Sequence, residues 1–306
     1  MTKTSQDIDV PKTVNPVFAR HETFHPRYGW LKKGFDLATQ DSGIFNADNA
    51  PVRLGVGKNM VKSIRYWCNA FKVLENDRPT AFGEQLLSDK GYDPYLENPA
   101  SLWLLHWNLL KPTCDAAAWY YTFNLFRGGE FYAEDLTKGL QSYQENLGKS
   151  TADSSLKKDV TCILRMYVEQ KATIGPIEDS IDCPFSELGL IHTAGESKRY
   201  TFRIGAKATL PPEIIVAACL EYASWGSYGT KTLALSRLLY DEGSPGRVFK
   251  LTEEALCDAI ERVARQNIKI VLSDTAGLIQ FSFNNEPLES ANDILEKYYS
   301  RTSNRN

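Results

Sequence analysis

Apolar residues recur at helical spacing along most of the chain. Trp30, Leu31, Gly34, Phe35 and Ala38 form one such set, with Arg27, Lys32 and Lys33 toward the polar side. Pro26 can open that helix, because the amide it lacks would be unpaired there anyway. The stretch 41–52 is a loop rich in Asp, Asn and Ser. The clearest periodicity, LGVGKNMVKSIRYWCNAFKVLE, predicts a helix from Gly57 to Phe71, and Asn76 to Pro79 break the pattern. A turn at Asp93-Pro94 precedes Asn98-Pro99, an N-cap and first-turn proline for the almost wholly apolar helix ASLWLLHWNLL. Trp119, Tyr120, Phe123 and Leu125 suggest a buried helix, with further helices over 131–147 and 155–168. After an irregular stretch at 175–195, Tyr200–Ile204 reads as a strand and Pro211-Pro212 starts a helix. A short amphipathic helix is predicted over 230–240, and Thr252 caps another, with Glu253 and Glu254 at its favourable end. IKIVLSDTAGLIQFSF reads as a hairpin turning at Asp274 to Gly277.

This order predicts a mainly α protein with small β wings, an α+β fold. Residues 211–283 fit a winged-helix layout and 20–110 a looser version with the 57–71 helix in the recognition position. The expected domains are a tail over 1–17, a winged-helix-like unit over 18–111 and a helical connector over 112–175. An irregular or β linker over 176–210, a C-terminal winged helix over 211–290 and a tail over 291–306 complete the plan.

Composition narrows the setting. A chain of 306 residues with 42% apolar content is long enough for two or three cored domains. No apolar run approaches the roughly 20 residues that span a bilayer, and the polar, acid-containing N-terminus lacks a signal-peptide layout, so a cytoplasmic protein is expected. The six cysteines are scattered without a CxxC pair, which predicts reduced core thiols and no structural zinc site. A net charge of −3 argues against coating nucleic acid by bulk charge. It leaves room for a local basic face.

The 57–71 helix supplies such a face. At about 100° per residue, Met60, Val61, Ile64, Trp67, Cys68 and Phe71 fall on one side. Lys58, Asn59, Lys62, Ser63, Arg65, Tyr66 and Asn69 fall on the other, with no acid until Glu75. Lys and Arg neutralise phosphates, while Arg and Asn can pair with base edges, so these residues together with Arg27, Lys32 and Lys33 are the candidate DNA contacts. Gly55 and Gly57 would let backbone amides approach an anion at the helix start, which predicts phosphate docking at Gly57, Lys58 and Asn59. An ordinary amphipathic surface helix has the same pattern. GVGK is not a P-loop: Asn59 follows the lysine and the upstream glycine is missing.

Nuclease chemistry would need carboxylates converging on divalent metal. Asp93 and Glu97, four residues apart, are the candidate catalytic pair. Asp93 also suits a turn before Pro94, and Glu97 a helix start. Glu196-Ser197-Lys198, with Asp179 and Asp182 upstream, formally matches a PD-(D/E)xK pattern, which arises often by chance. His21 and His25 could share a metal or meet phosphate, although Pro26 interrupts a helix through both. His106, among tryptophans, reads as a core histidine.

The stretches FHPRYGWLKKG (24–34), LGVGKNMVKSIRYW (54–67) and DPYLENPASLWLLHWNLL (93–110), and more loosely SPGRVFKLTEEAL (244–256), resemble the SspB-like family of bacterial single-strand DNA phosphorothioation (Ssp) defence clusters. The resemblance runs from about Phe18 to Phe283. It implies a DNA-binding, DNA-nicking role beside a cysteine desulfurase, an ATP pyrophosphatase and an ATPase. No tightly bound cofactor is expected, and a divalent metal only if the protein is a nuclease. Two other functions fit the residues: a non-catalytic DNA-binding regulator or specificity subunit, and a protein-interaction scaffold.

Overall fold

A computed structural model describes residues 16–168, 183–195, 198–226 and 231–303. The chain divides into two compact units. The first holds the described residues up to Leu110 together with Cys114–Arg203, and the second holds Lys111–Thr113 and the chain from Ile204 onward. The protein is α+β: helices predominate and the named strands pair into small antiparallel sheets. Among the described residues no helix is long and apolar enough to cross a membrane.

In the first unit, Gly29 is left-handed (φ 74°), so α1 (Trp30–Gln40) starts after it and not at Pro26. α2 (Ala50–Leu54) ends at Gly55, whose φ of 63° lets its amide and that of Val56 return to carbonyls of the last turn. Three residues later α3 (Lys58–Ala70) begins. Gly34 lets α1 lie directly on α3: a Cβ there would stand 2.6 Å from Cys68 Sγ and 2.8 Å from Ile64 Cγ2. β1 (Leu74–Glu75) and β2 (Arg78–Pro79) then pair across Asn76 and Asp77. Those two residues have φ of 50° and 63°, as a tight primed turn requires. Thr80 caps α4 (Ala81–Leu87) by accepting from the Gly83 amide at 2.9 Å.

α5 (Pro99–Leu110) is buried from Ala100 to Leu110, polar residues included. His106 is a core histidine, its Nδ1 2.9 Å from the Tyr167 hydroxyl. α6 (Ala117–Tyr120) runs on into a wider π turn at Tyr121–Leu125. β3 (Glu130–Phe131), α7 (Ala133–Asn146), α8 (Asp153–Tyr167), β4 (Ile191–Thr193) and β5 (Tyr200–Phe202) complete the unit, with β5 between β3 and β4.

The boundary expected near 111 does not separate an N-terminal domain from a connector. Trp67 of α3 meets Trp119 edge-on at 5.3 Å, and Phe71 stacks on Phe185 at 4.8 Å. Val17, expected in a disordered tail, donates its amide to Asp115 O at 2.9 Å. Residues 114–168 of the supposed connector, and the described residues 183–195 and 198–203 of the supposed linker, belong to the first unit. Periodicity shows that a side chain is buried; it does not show against what.

The second unit contains α9 (Pro212–Ser224), β6 (Thr232–Ala234), α10 (Leu235–Tyr240), α11 (Pro245–Val248) and α12 (Glu253–Ala264). β7 (Ile270–Thr275), β8 (Leu278–Phe283) and α13 (Pro287–Ser303) follow, with sheet order β6-β8-β7. The start of the predicted 230–240 helix is strand β6, because Thr232–Ala234 pair with Gln280–Ser282 of β8. The hairpin turns at Ala276 and Gly277, with φ of 54° and 81°. Thr252 caps α12 as predicted, accepting from the Ala255 amide at 3.3 Å. The expected tail over 291–306 is corrected: Ala291, Ile294, Leu295 and Tyr299 are a buried helical stripe of α13, which packs on α9. The Lys207 ammonium ties the entrance of this unit together, donating to the carbonyls of Gly205, Phe249 and Lys250 at 2.7, 2.5 and 2.7 Å.

Replacing Gly34 by Ala must push α1 off α3. A destabilisation of about 1–3 kcal/mol is expected for such overpacking, read as a lowered urea midpoint. An unchanged midpoint would refute the close approach.

Candidate nucleic-acid interface

α3 buries Val61, Ile64, Trp67 and Cys68, as its apolar stripe requires. Its other side is not one continuous face. The irregular segment ahead of α1 crosses it: Trp67 Nε1 donates to Phe24 O at 3.0 Å, and Ser63 Oγ to the same carbonyl at 3.5 Å. Ser63 is therefore fully buried, which removes it from the predicted DNA face.

The C-terminal half of the helix is held by the β1–β2 hairpin. Arg65 grips the Asp77 carboxylate with both arms, Nε to Oδ1 at 2.8 Å and Nη2 to Oδ2 at 2.6 Å. Its Nη1 donates to Asn46 Oδ1 at 3.0 Å. Asn69 Nδ2 donates to Arg65 O at 2.8 Å and reaches Asp77 Oδ1 at 3.4 Å. Arg65 and Asn69 thus satisfy a buried carboxylate and are committed to protein partners, although the Arg65 side chain remains part-exposed. Tyr66 is half-buried against Trp67 and His21, with ring centroids 5.0 and 6.4 Å away. Burial, reinforced by the nearby Asp159 charge, pushes its phenol well above the ordinary range.

What remains open is the N-terminal half. Gly57, Lys58, Asn59 and Lys62 are exposed. A Cβ on Gly57 would meet nothing within 4 Å, and no side chain caps the helix. Val61 is the first residue to return its amide to Gly57 O, so the amides of Lys58, Asn59 and Met60 have no intrahelical acceptor. The side chains of Lys58 and Asn59 make no hydrogen bond or ion pair with the described residues. Lys62 Nζ lies 3.3 Å from Glu22 Oε1.

The three cations around α1 diverge. Lys33 is exposed and donates to Leu54 O at 3.1 Å, which brings it beside the turn that leads into α3. Arg27 is half-buried with its guanidinium 5.6 Å from the Trp30 ring centroid. Lys32 is buried between Asp36 and Asp89, at 2.7 and 3.2 Å. Burial opposes its charge, but the two carboxylates outweigh that and raise its pKa. Its charge is spent internally, so it does not join the predicted DNA face. Arg78, exposed on the hairpin next to Asp77, is a cation that periodicity gave no reason to select.

The two proposed catalytic carboxylates sit in different environments. Asp93 is buried and accepts from the Glu97 amide at 3.0 Å, the Asn98 amide at 2.9 Å and Ser101 Oγ at 2.6 Å. It organises the turn and the start of α5, while Glu97 is exposed. Asp179, Asp182, Glu196 and Ser197 lie outside the described residues. His21 does not pair with His25 around a metal; its Nε2 is 2.9 Å from Asp159 Oδ1, both residues buried. Burial raises the Asp159 pKa against the opposing effects of His21 and the Ala19 amide. Among the described residues no group of three or more His, Cys, Asp or Glu side chains is placed to hold a metal ion. All six cysteines are unbridged and five are buried. Burial pushes the Cys114 thiol up to about 11.

A family model described as a protein of unknown function (DUF4007) matches residues 18–299. A solved structure described as magnesium ion-bound SspB is 36% identical, with a TM-score of 0.87 over 96% of this chain and 90% of that one. A second, described as SspB, is 37% identical with a TM-score of 0.86 and the same coverage. No curated protein matches the chain.

Asp93→Ala would strand three donors. It should destabilise the protein by about 2–4 kcal/mol, whereas Glu97→Ala should stay within about 0.5 kcal/mol. Equal losses in urea unfolding would contradict the turn-organising role.

Proposed function

This chain belongs to the DUF4007 family of SspB-like proteins, and we propose that it is the DNA-binding component of a bacterial DNA phosphorothioation defence system. The observation that carries the proposal is the exposed N-terminal half of α3. It offers uncapped backbone amides and two lysines to a phosphate backbone, with Asn59 free to meet a base edge or a phosphate. In helix-turn-helix readers, the N-terminal residues of the second helix contact DNA. α2, the Gly55–Gly57 turn, α3 and the β1–β2 hairpin follow one another in the order of such a module. The second unit's order, α9-β6-α10-α12-β7-β8 with β8 central, supports a winged-helix reading there too.

The docking set is Gly57, Lys58, Asn59 and Lys62, with Lys33 as a nearby cation. Lys32, Ser63, Arg65 and Asn69 hold the module together. Family membership supports work in the cytoplasm beside a cysteine desulfurase, an ATP pyrophosphatase and an ATPase. It also supports DNA nicking, with a divalent ion as the natural electrophile. The described residues offer no converging donor set for such an ion, so no cleavage step is derived through one. The three donors on the Asp93 carboxylate favour a structural role for that residue over a catalytic one.

Lys58→Ala and Lys62→Ala should each weaken duplex binding and shallow its log–log salt dependence by about 0.9. Unaltered slopes would remove α3 from the interface. Supercoiled plasmid incubated with the protein and magnesium, alone and with its cluster partners, should acquire nicks that a chelator prevents. Intact plasmid in every arm would leave only the binding role.

A further inference from the structure

We propose that Glu22 is a built-in competitor for DNA, its carboxylate occupying the position at Lys62 that a phosphate takes on binding. The inference rests on reading the N-terminal half of α3 as the DNA-docking surface. It adds how that surface is tuned.

Two observations place Glu22 there by construction. The first is backbone strain. Ala19, Glu22 and Thr23 have φ of 55°, 51° and 72°, left-handed conformations in non-glycine residues. Each is disfavoured for a residue that carries a Cβ and persists only where the surroundings dictate it. The second is the anchoring on either side. His21 Nε2 lies 2.9 Å from the buried Asp159 carboxylate, and the Ala19 amide donates to both oxygens of that carboxylate at 2.9 and 3.1 Å. Phe24 is fixed at its carbonyl by Trp67 Nε1 and returns its own amide to His21 O at 2.9 Å. Glu22 therefore projects from a short bend pinned at both ends, and its Oε1 stands 3.3 Å from Lys62 Nζ.

The chemistry of the pair suits displacement. The Lys62 and Glu22 side chains are 56% and 35% exposed, so water and salt screen their attraction. A phosphate that reaches Lys62 replaces one oxyanion with another and leaves the buried His21–Asp159 anchor intact. Lys58, at the start of the same helix, has no such partner among the described residues and stays ready to make the first contact. The carboxylate thus lowers affinity for any polyanion and favours one whose phosphates engage Lys58 and Lys62 together.

The test compares wild type, Glu22→Gln, Lys62→Ala and the double variant in duplex binding at low salt, with Lys58→Ala as a separate control. Thermal melts confirm folding, and the surface amide substitution should not perturb it. Glu22→Gln should bind about threefold more tightly, with the gain shrinking as salt rises and vanishing in the Lys62→Ala background. Equal binding by Glu22→Gln and wild type, or a gain that survives loss of Lys62, overturns the competitor role while the docking surface stands. If neither Lys58→Ala nor Lys62→Ala changes binding, the docking surface itself is wrong and the competitor role falls with it.

Discussion

Trp67 is fully buried, and its indole N–H is spent on the Phe24 carbonyl. That arrangement fixes α3 in the first unit, because the ring stands edge-on to Trp119 and beside Phe71, Tyr66 and His21. An indole of this size contributes several kcal/mol when buried, and its N–H would be costly if left unpaired. Seating it draws the preceding segment across α3, and Gly34 permits α1 to close on the helix from another direction. What α3 can present to a partner is the part that these contacts leave uncovered.

The hairpin after α3 then takes a second share. A guanidinium gripping Asp77 with two bonds, one of its partners buried, is a structural bond first. Its geometry, a planar fork on a carboxylate, is also what would read guanine. The same residue type at the same helical position serves either purpose, and only the neighbouring Asp77 decides between them. The surviving surface is small and cationic within a protein of net charge −3. On the proposed reading, such a patch would steer DNA to one place without inviting it everywhere.

Helix existence was legible because burial has a period. The 57–71 helix, the apolar 99–110 helix, the Thr252 cap and the terminal hairpin all follow from local pattern. The domain plan failed where the pattern had no partner information: Phe71 looks the same in sequence whether it packs on a residue nearby or on Phe185. The α13 stripe was equally periodic, but polar residues between its apolar positions disguised it as a tail. At the site, a helical wheel correctly separated the polar from the apolar side of α3. It could not see that Phe24 roofs Ser63, that Asp77 claims Arg65, or that Asp36 and Asp89 neutralise Lys32. Asp93 illustrates the reverse case, a carboxylate in a motif-like setting that accepts three hydrogen bonds from its own turn and the start of α5.

The second unit carries the same kind of helix–hairpin order with opposite chemistry. α12 exposes Glu253, Glu254, Asp258 and Glu261, while Arg262 and Arg265 each lie within 4.0 Å of a carboxylate one turn earlier. On the proposed reading, DNA therefore belongs on α3 and not on α12. Amide hydrogen exchange with and without duplex DNA separates the two most directly. The amides of Lys58, Asn59 and Met60 lack intrahelical acceptors and should exchange quickly in the free protein. DNA binding at α3 should protect the 57–62 segment and leave Glu253–Ala264 unchanged. Protection of Glu253–Ala264 with none at 57–62 would contradict it.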